Sequence, residues 1–169
     1  VSPLGVVHTI SSPLIRNAPG LSLNYNGDVP SQTGIFVDSG NAGGITAIDD
    51  FTGSPPTPIG DNLEFLDFLT LSLAYYVRSP SRVLVLGAGG GTDVLNALAH
   101  HVNSVDAVEL NPHIIRLVRD QFRDFTAGLY TLPNVRLIQH EARGYAASTS
   151  ATYDAIHISL LDAFSASSA

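Results

Sequence analysis

The chain has 169 residues, 44% of them hydrophobic, enough to bury one sizeable core with at most a small appendage. Eight arginines, no lysine and fifteen acidic residues leave a net charge of −7, so the clustered cations that grip a phosphate backbone are missing and no nucleic-acid partner is expected. The absence of cysteine removes disulfides, thiolate chemistry and Cys-ligated metals.

Residues 1–60 are rich in Pro, Gly, Ser and Asn, with short β-favouring pieces at 4–10, 21–25, 34–37 and 45–48. Turn signals at Asn17-Ala18-Pro19-Gly20 and Asn26-Gly27-Asp28 separate them, which predicts a small antiparallel β appendage. The proline-rich run 51–60 reads as a linker, because proline supplies no donor and fixes φ. Asp61 then offers an N-cap with Glu64 three residues on, and Phe65, Leu69, Leu73 and Tyr76 fall at helical spacing, which predicts a helix ended by Arg78 to Pro80. Its longest apolar stretch, 63–77, is interrupted by Glu64, Asp67, Thr70 and Ser72, so no membrane span is expected in this chain. No signal peptide is recognisable, and the chain lacks an initiator Met and any other Met. That pattern suggests a piece of a longer parent, either a cytoplasmic protein or a membrane-anchored one of which this is a soluble domain.

From Arg82 onward strands and helices alternate, the signature of βαβ units and a parallel sheet. The predicted strands are 83–86, 105–110, 135–138 and 155–158, each a short apolar run suited to a sheet covered on both faces. Asn111 caps the clearest helix, Pro112 occupies its first turn, and Ile114, Val118, Phe122 and Phe125 form its apolar stripe. The expected fold is therefore α/β: a Rossmann-like parallel sheet with flanking helices over 61–169, preceded by the β-rich segment and linker of 1–60.

Chemistry concentrates at the carboxyl ends of those strands. Gly87-Ala88-Gly89-Gly90-Gly91-Thr92 follows the first strand directly and opens a helix, where a sharp turn and close ligand approach leave no room for a Cβ. Gly87, Gly89 and Gly91 are accordingly candidates for a nucleotide-type cofactor. Glu109 ends the second strand, 22 residues after Gly87, where a carboxylate can accept from both ribose hydroxyls. Thr92 stands where the dinucleotide fingerprint wants a third small residue, which weighs against NAD without excluding it. Glu141 follows the third strand, and its carboxylate or the adjoining backbone N–H of Ala142 is placed to read an adenine edge, or else simply to favour a helix N-terminus. Asp162 follows the fourth strand and is a candidate to bind or deprotonate an amine. The six histidines show no ligand spacing; His100, His101 and His157 read as structural, and no metal is proposed.

Together these stretches resemble the spermidine/spermine synthase family, the polyamine aminopropyltransferases on the class I methyltransferase fold. Arg82 to Gly91 resembles the family's first strand and glycine loop, and Val105-Asp106-Ala107-Val108-Glu109-Leu110-Asn111-Pro112 its second strand and ribose acid. His140-Glu141-Ala142-Arg143 falls where the family has its adenine-side Asp, and Tyr153-Asp154-Ala155-Ile156 leads into its Asp-x-x-Asp loop. The resemblance spans roughly residues 61–164 and implies S-adenosylmethionine or its decarboxylated form as cofactor, with a polyamine as acceptor. It also implies substrate-side departures. Ser159 replaces the presumed base and leaves Asp162, Gly90 replaces the loop Asp with Asp93 as a substitute, and Phe65-Leu66-Asp67 stands for Tyr-x-Glu.

Aminopropyl transfer is an in-line attack by a neutral amine on a carbon beside a sulfonium, so loss of the base removes ~10²–10⁴-fold in rate. Nucleoside binding is therefore expected to outlast polyamine transfer, and activity as a transferase is left open. Two rivals remain: a small-molecule methyltransferase on the same fold, and a non-catalytic nucleoside-binding or assembly module. Because the family continues beyond a fourth strand, the resemblance implies truncation after that strand, or a partner such as a second copy across its apolar edge.

Overall fold

The computed structural model describes residues 4–38 and 40–158. Strands β1 (Val7–Ser11), β2 (Gln32–Val37) and β3 (Gly40–Thr46) form an antiparallel sheet in that order. The predicted piece at 45–48 is only the end of β3, whose glycines at 40, 43 and 44 have weak strand propensity and hid the rest. Residues 21–25 form no strand; Leu21 makes a single antiparallel bridge with Leu69. The long excursion before β2 is tied down by Gln32, whose side chain accepts from Asn17 N at 2.6 Å and donates to Asn17 O at 3.0 Å.

Residues 51–60 differ from the linker expectation. Strands β4 (Asp50–Thr52) and β5 (Thr57–Ile59) pair as a hairpin, with Pro58 opposite Phe51. A two-stranded ribbon tolerates proline because the missing N–H can fall on an edge without a ladder partner.

The segment after it also departs from the predicted continuous helix. Asn62, not Asp61, precedes the first turn in a left-handed conformation (φ 60°) without any side-chain cap bond. A 3₁₀ turn, Leu63–Phe68, is followed by extended Leu69, a second 3₁₀ turn, Thr70–Ser72, and helix α1 (Leu73–Val77). Backbone bonds from Ser22 N to Phe68 O and from Thr70 N to Gly20 O pull the chain out of helix at Leu69. Phe65, Leu69 and Tyr75 face inward, whereas Leu73 and Tyr76 are exposed.

The parallel sheet follows the expected pattern. Strands β6 (Arg82–Leu86), β7 (Ser104–Glu109), β8 (Val135–Gln139) and β9 (Ala155–Ile158) lie in the order β8-β7-β6-β9. Between them run α2 (Thr92–Ala99), α3 (Pro112–Arg116), which continues into a π turn at Leu117–Gln121, and α4 (Ala142–Ser148). Asn111 caps α3 as the sequence predicts, its side chain accepting from His113 N at 3.0 Å.

Strand alternation sorts the core into two faces. Val83, Val85, Val105 and Ala107 pack in one cluster with Val94 and Leu98 of α2 and with Ile35, Ile45 and Phe65, so the N-terminal sheet shares the main core. Leu84, Leu86 and Val108 form a second cluster against Ala142 and Tyr145 of α4. On β9, Ile156 and Ile158 remain exposed, and the strand has no hydrogen-bonded neighbour beyond β6 among the described residues. Among the same residues, no helix is long and apolar enough to cross a membrane.

Candidate functional site

The sheet order reverses direction at β6, so the crevice beyond the carboxyl ends of β6 and its neighbours is where ligands of such folds sit. The glycine loop occupies this point. Gly87, Gly89 and Gly91 have φ values of 82°, 50° and 95°, a region that side chains strain to enter. Gly87 N and Ala88 N both donate to Val108 O at 2.9 Å, folding the loop back over β7.

That fold brings the loop onto Glu109. Glu109 is 8% exposed as a residue; one carboxylate oxygen accepts from Gly89 N at 2.9 Å and the other from Asn111 N at 2.7 Å. A carboxylate has about four lone-pair sites, so each oxygen can still accept another donor. Two remaining acceptors on one planar group suit a vicinal diol.

Loop positions 90 and 91 are sterically closed. A β-carbon on Gly90 would run into the carbonyl oxygen of Gly44 on β3, and one on Gly91 would lie 2.6 Å from Leu129 Cδ2. Beside the loop opens a cavity of about 410 Å³, walled by Gly87 to Gly90 and Asp93 on one side and by Gly20, Gly44 and Leu69 to Leu71 on the other. That volume falls within the ~300–1,000 Å³ of small-molecule sites.

The other predicted residues take varied places. Asp93 is in the cavity wall, within electrostatic reach of Tyr75, Tyr130 and His157. Glu141 is exposed and caps α4, one oxygen accepting from Arg143 N at 2.8 Å and the other from Gly144 N at 2.6 Å. Those two backbone bonds hold its carboxyl below the ordinary range. Ala142 begins the same helix and packs against the second apolar cluster. Asp67 lies outside the cavity wall; its Oδ1 stands 3.3 Å from His100 Nε2. Asp162 and Ser159 lie outside the described residues.

Two features of the site were not read from the sequence. Tyr130 donates its hydroxyl to Gly89 O at 2.8 Å across 41 residues of chain. Burial first, then the nearby carboxylates of Glu109 and Asp93, push its phenol well above the usual range, so it stays a donor. The second is the approach of Gly44 to Gly90, because a glycine in a strand announces close backbone contact without naming the contact.

Comparison with known proteins finds relatives among the polyamine aminopropyltransferases. The polyamine aminopropyltransferase of Korarchaeum cryptofilum is 31% identical over 88 residues, covering 52% of this chain and 27% of the relative. That of Sulfurisphaera tokodaii is 23% identical over 134 residues, covering 79% of this chain and 44% of the relative. The chain thus spans less than half the length of these curated relatives. Among solved structures, a spermidine synthase in complex with the transition state analogue AdoDATO matches with TM-score 0.49 and 20% identity over 80% of this chain and 46% of that one. The spermidine synthase of Thermotoga maritima matches with TM-score 0.49 and 21% identity over 82% of this chain and 47% of that one. The family model for the spermine/spermidine synthase domain matches residues 69–169, well over half the chain and all of the glycine loop and its carboxylate, and the protein belongs to that family.

Proposed function

We propose that residues 61–169 form a nucleoside-binding domain that holds S-adenosylmethionine or decarboxylated S-adenosylmethionine, with residues 1–60 as a β-rich cap. In the whole protein the domain would serve aminopropyl transfer to an amine. The observation that carries the reading is the grip of Glu109 on Gly89, which leaves two carboxylate acceptors beside a loop of bare backbone.

In this reading Glu109 accepts from the ribose hydroxyls, while Gly87, Gly89 and Gly91 admit the methionine-derived portion. Glu141 and the backbone N–H of Ala142 meet the adenine edge. Asp93, in the cavity wall, balances the amine end, a role better supported there than at Asp67, which faces His100. Transfer forms a bond between the amine nitrogen and the carbon next to sulfur and breaks that carbon–sulfur bond, releasing methylthioadenosine. The attacking amine must lose one proton, and Asp162 is the candidate acceptor. Membership of the spermine/spermidine synthase family supports this chemistry over its rivals.

Titration calorimetry of the chain with S-adenosylmethionine, its decarboxylated form and methylthioadenosine tests the binding step; no heat from any of them overturns it. Product analysis tests the reaction, since aminopropyl transfer yields methylthioadenosine and methyl transfer yields S-adenosylhomocysteine.

A further inference from the structure

Gly89 is held at both ends of its backbone. Its N–H donates to Glu109 Oε2 at 2.9 Å, and its carbonyl accepts from Tyr130 at 2.8 Å. Its φ of 50° lies in the left-handed region, where glycine alone is at ease but which glycine does not prefer over many alternatives. Two opposed bonds therefore select one loop shape from several.

Tyr130 is itself fixed. It is 3% exposed and lies in a 3₁₀ turn, Leu129–Thr131, that starts from left-handed Gly128 (φ 73°). Thr131 Oγ1 donates to Gly128 O at 2.8 Å, and Leu129 N to Thr126 O at 3.0 Å. The turn also presses Leu129 beneath Gly91. A rigid support thus carries a hydroxyl onto one carbonyl of the loop.

We infer that Tyr130 is a positioning residue for the nucleoside site: by holding the Gly89 carbonyl it aims the Gly89 N–H at Glu109, and so sets the carboxylate to accept a ribose diol. This inference rests on the nucleoside reading above. It makes the connector between α3 and β8 a support behind the glycine loop.

The test compares 5′-methylthioadenosine with its 2′,3′-dideoxy analogue, bound to the whole chain by calorimetry. In the wild type the diol should be favoured, because only the diol donates to Glu109. Tyr130→Phe keeps the ring and removes the bond. One hydrogen bond shifts an equilibrium by about 2–12-fold. The variant is therefore expected to lower the preference for the diol by ~3–10-fold, with affinity for the dideoxy analogue nearly unchanged.

Leu129→Val serves as the control, loosening the same turn without touching the hydroxyl, and should weaken both ligands alike. If Tyr130→Phe also weakens both alike, or neither, the positioning role is overturned while the nucleoside reading stands. If the wild type binds neither ligand, both fall. Thermal melts of each variant set the assay temperature below the lowest midpoint, so the ratio is read on folded protein.

Discussion

The carbonyl oxygen of Gly44, on strand β3, stands where a β-carbon on Gly90 would project. The resemblance to the family implies an Asp at this loop position, and in this chain the Gly44 carbonyl fills the space that its side chain would need. Restoring the acid by Gly90→Asp is therefore expected to destabilise the fold by about 1–3 kcal/mol, through overpacking against backbone that has no rotamer to yield. Thermal denaturation checks it, with a drop of several degrees in Tm. A variant as stable as the wild type would mean that β3 can withdraw.

Glu141 offers a way to separate a helix cap from a ligand contact. Its two oxygens take the N–H groups of Arg143 and Gly144 in the first turn of α4, a service that serine performs well at an N-cap. Glu141→Ser should leave stability within about 1 kcal/mol of the wild type while lowering adenosine affinity several-fold. Equal affinity would assign the carboxylate to the helix alone.

Below the sheet, Asp106 accepts from Arg136 Nε and Nη2 at 2.9 and 2.6 Å, from Arg82 at 3.1 Å and from the Tyr153 hydroxyl at 2.6 Å. Burial alone would raise its carboxyl, but the bonds from Arg136, Tyr153 and Arg82 outweigh it and hold the group below its usual value of 3.8. A carboxyl lowered on folding contributes stability above its unfolded value and loses it as pH falls through the folded one. Acidification below about pH 4 should thus lower the unfolding midpoint in urea, and Asp106→Asn should flatten that arm. At neutral pH the same variant is expected to cost roughly 1–3 kcal/mol, because charge-assisted bonds are lost on the sheet's second face.

His157 carries the opposite charge logic. It is 4% exposed on β9, with Nδ1 3.4 Å from the Tyr75 hydroxyl and Nε2 without a hydrogen-bond partner among the described residues. Burial lowers its ionisation from 6.5; Asp93 opposes that shift and His100 adds to it. The unfolded chain therefore takes up a proton at a higher pH than the folded one, so stability is retained above about pH 6.5 and falls as pH drops below it. Melting curves between pH 8 and pH 5 check this, and His157→Leu should remove the slope. A flat profile in the wild type would count against a neutral buried imidazole.

Local pattern was enough for β6 through β9 and for the starts of their helices, because each strand is an apolar run bounded by turn residues; the stripe read on to Phe125 overran, since α3 gives way to a π turn and the chain leaves helix after Gln121. The glycine loop and Glu109 were legible for the same reason, as they flank adjacent strands of one βαβ unit. Prolines misled at residues 51–60, where a ribbon edge accommodates them, and helical spacing misled at 61–77, where bonds to residues 20–22 compete with the helix. What tertiary packing alone decided is how distant segments meet: Tyr130 on Gly89, Gly44 on Gly90, Leu21 on Leu69. Such pairs leave no periodic trace in the chain, since neither member's own neighbours require the other. They form only when the strands are stacked and the remaining backbone must find partners within a closed core.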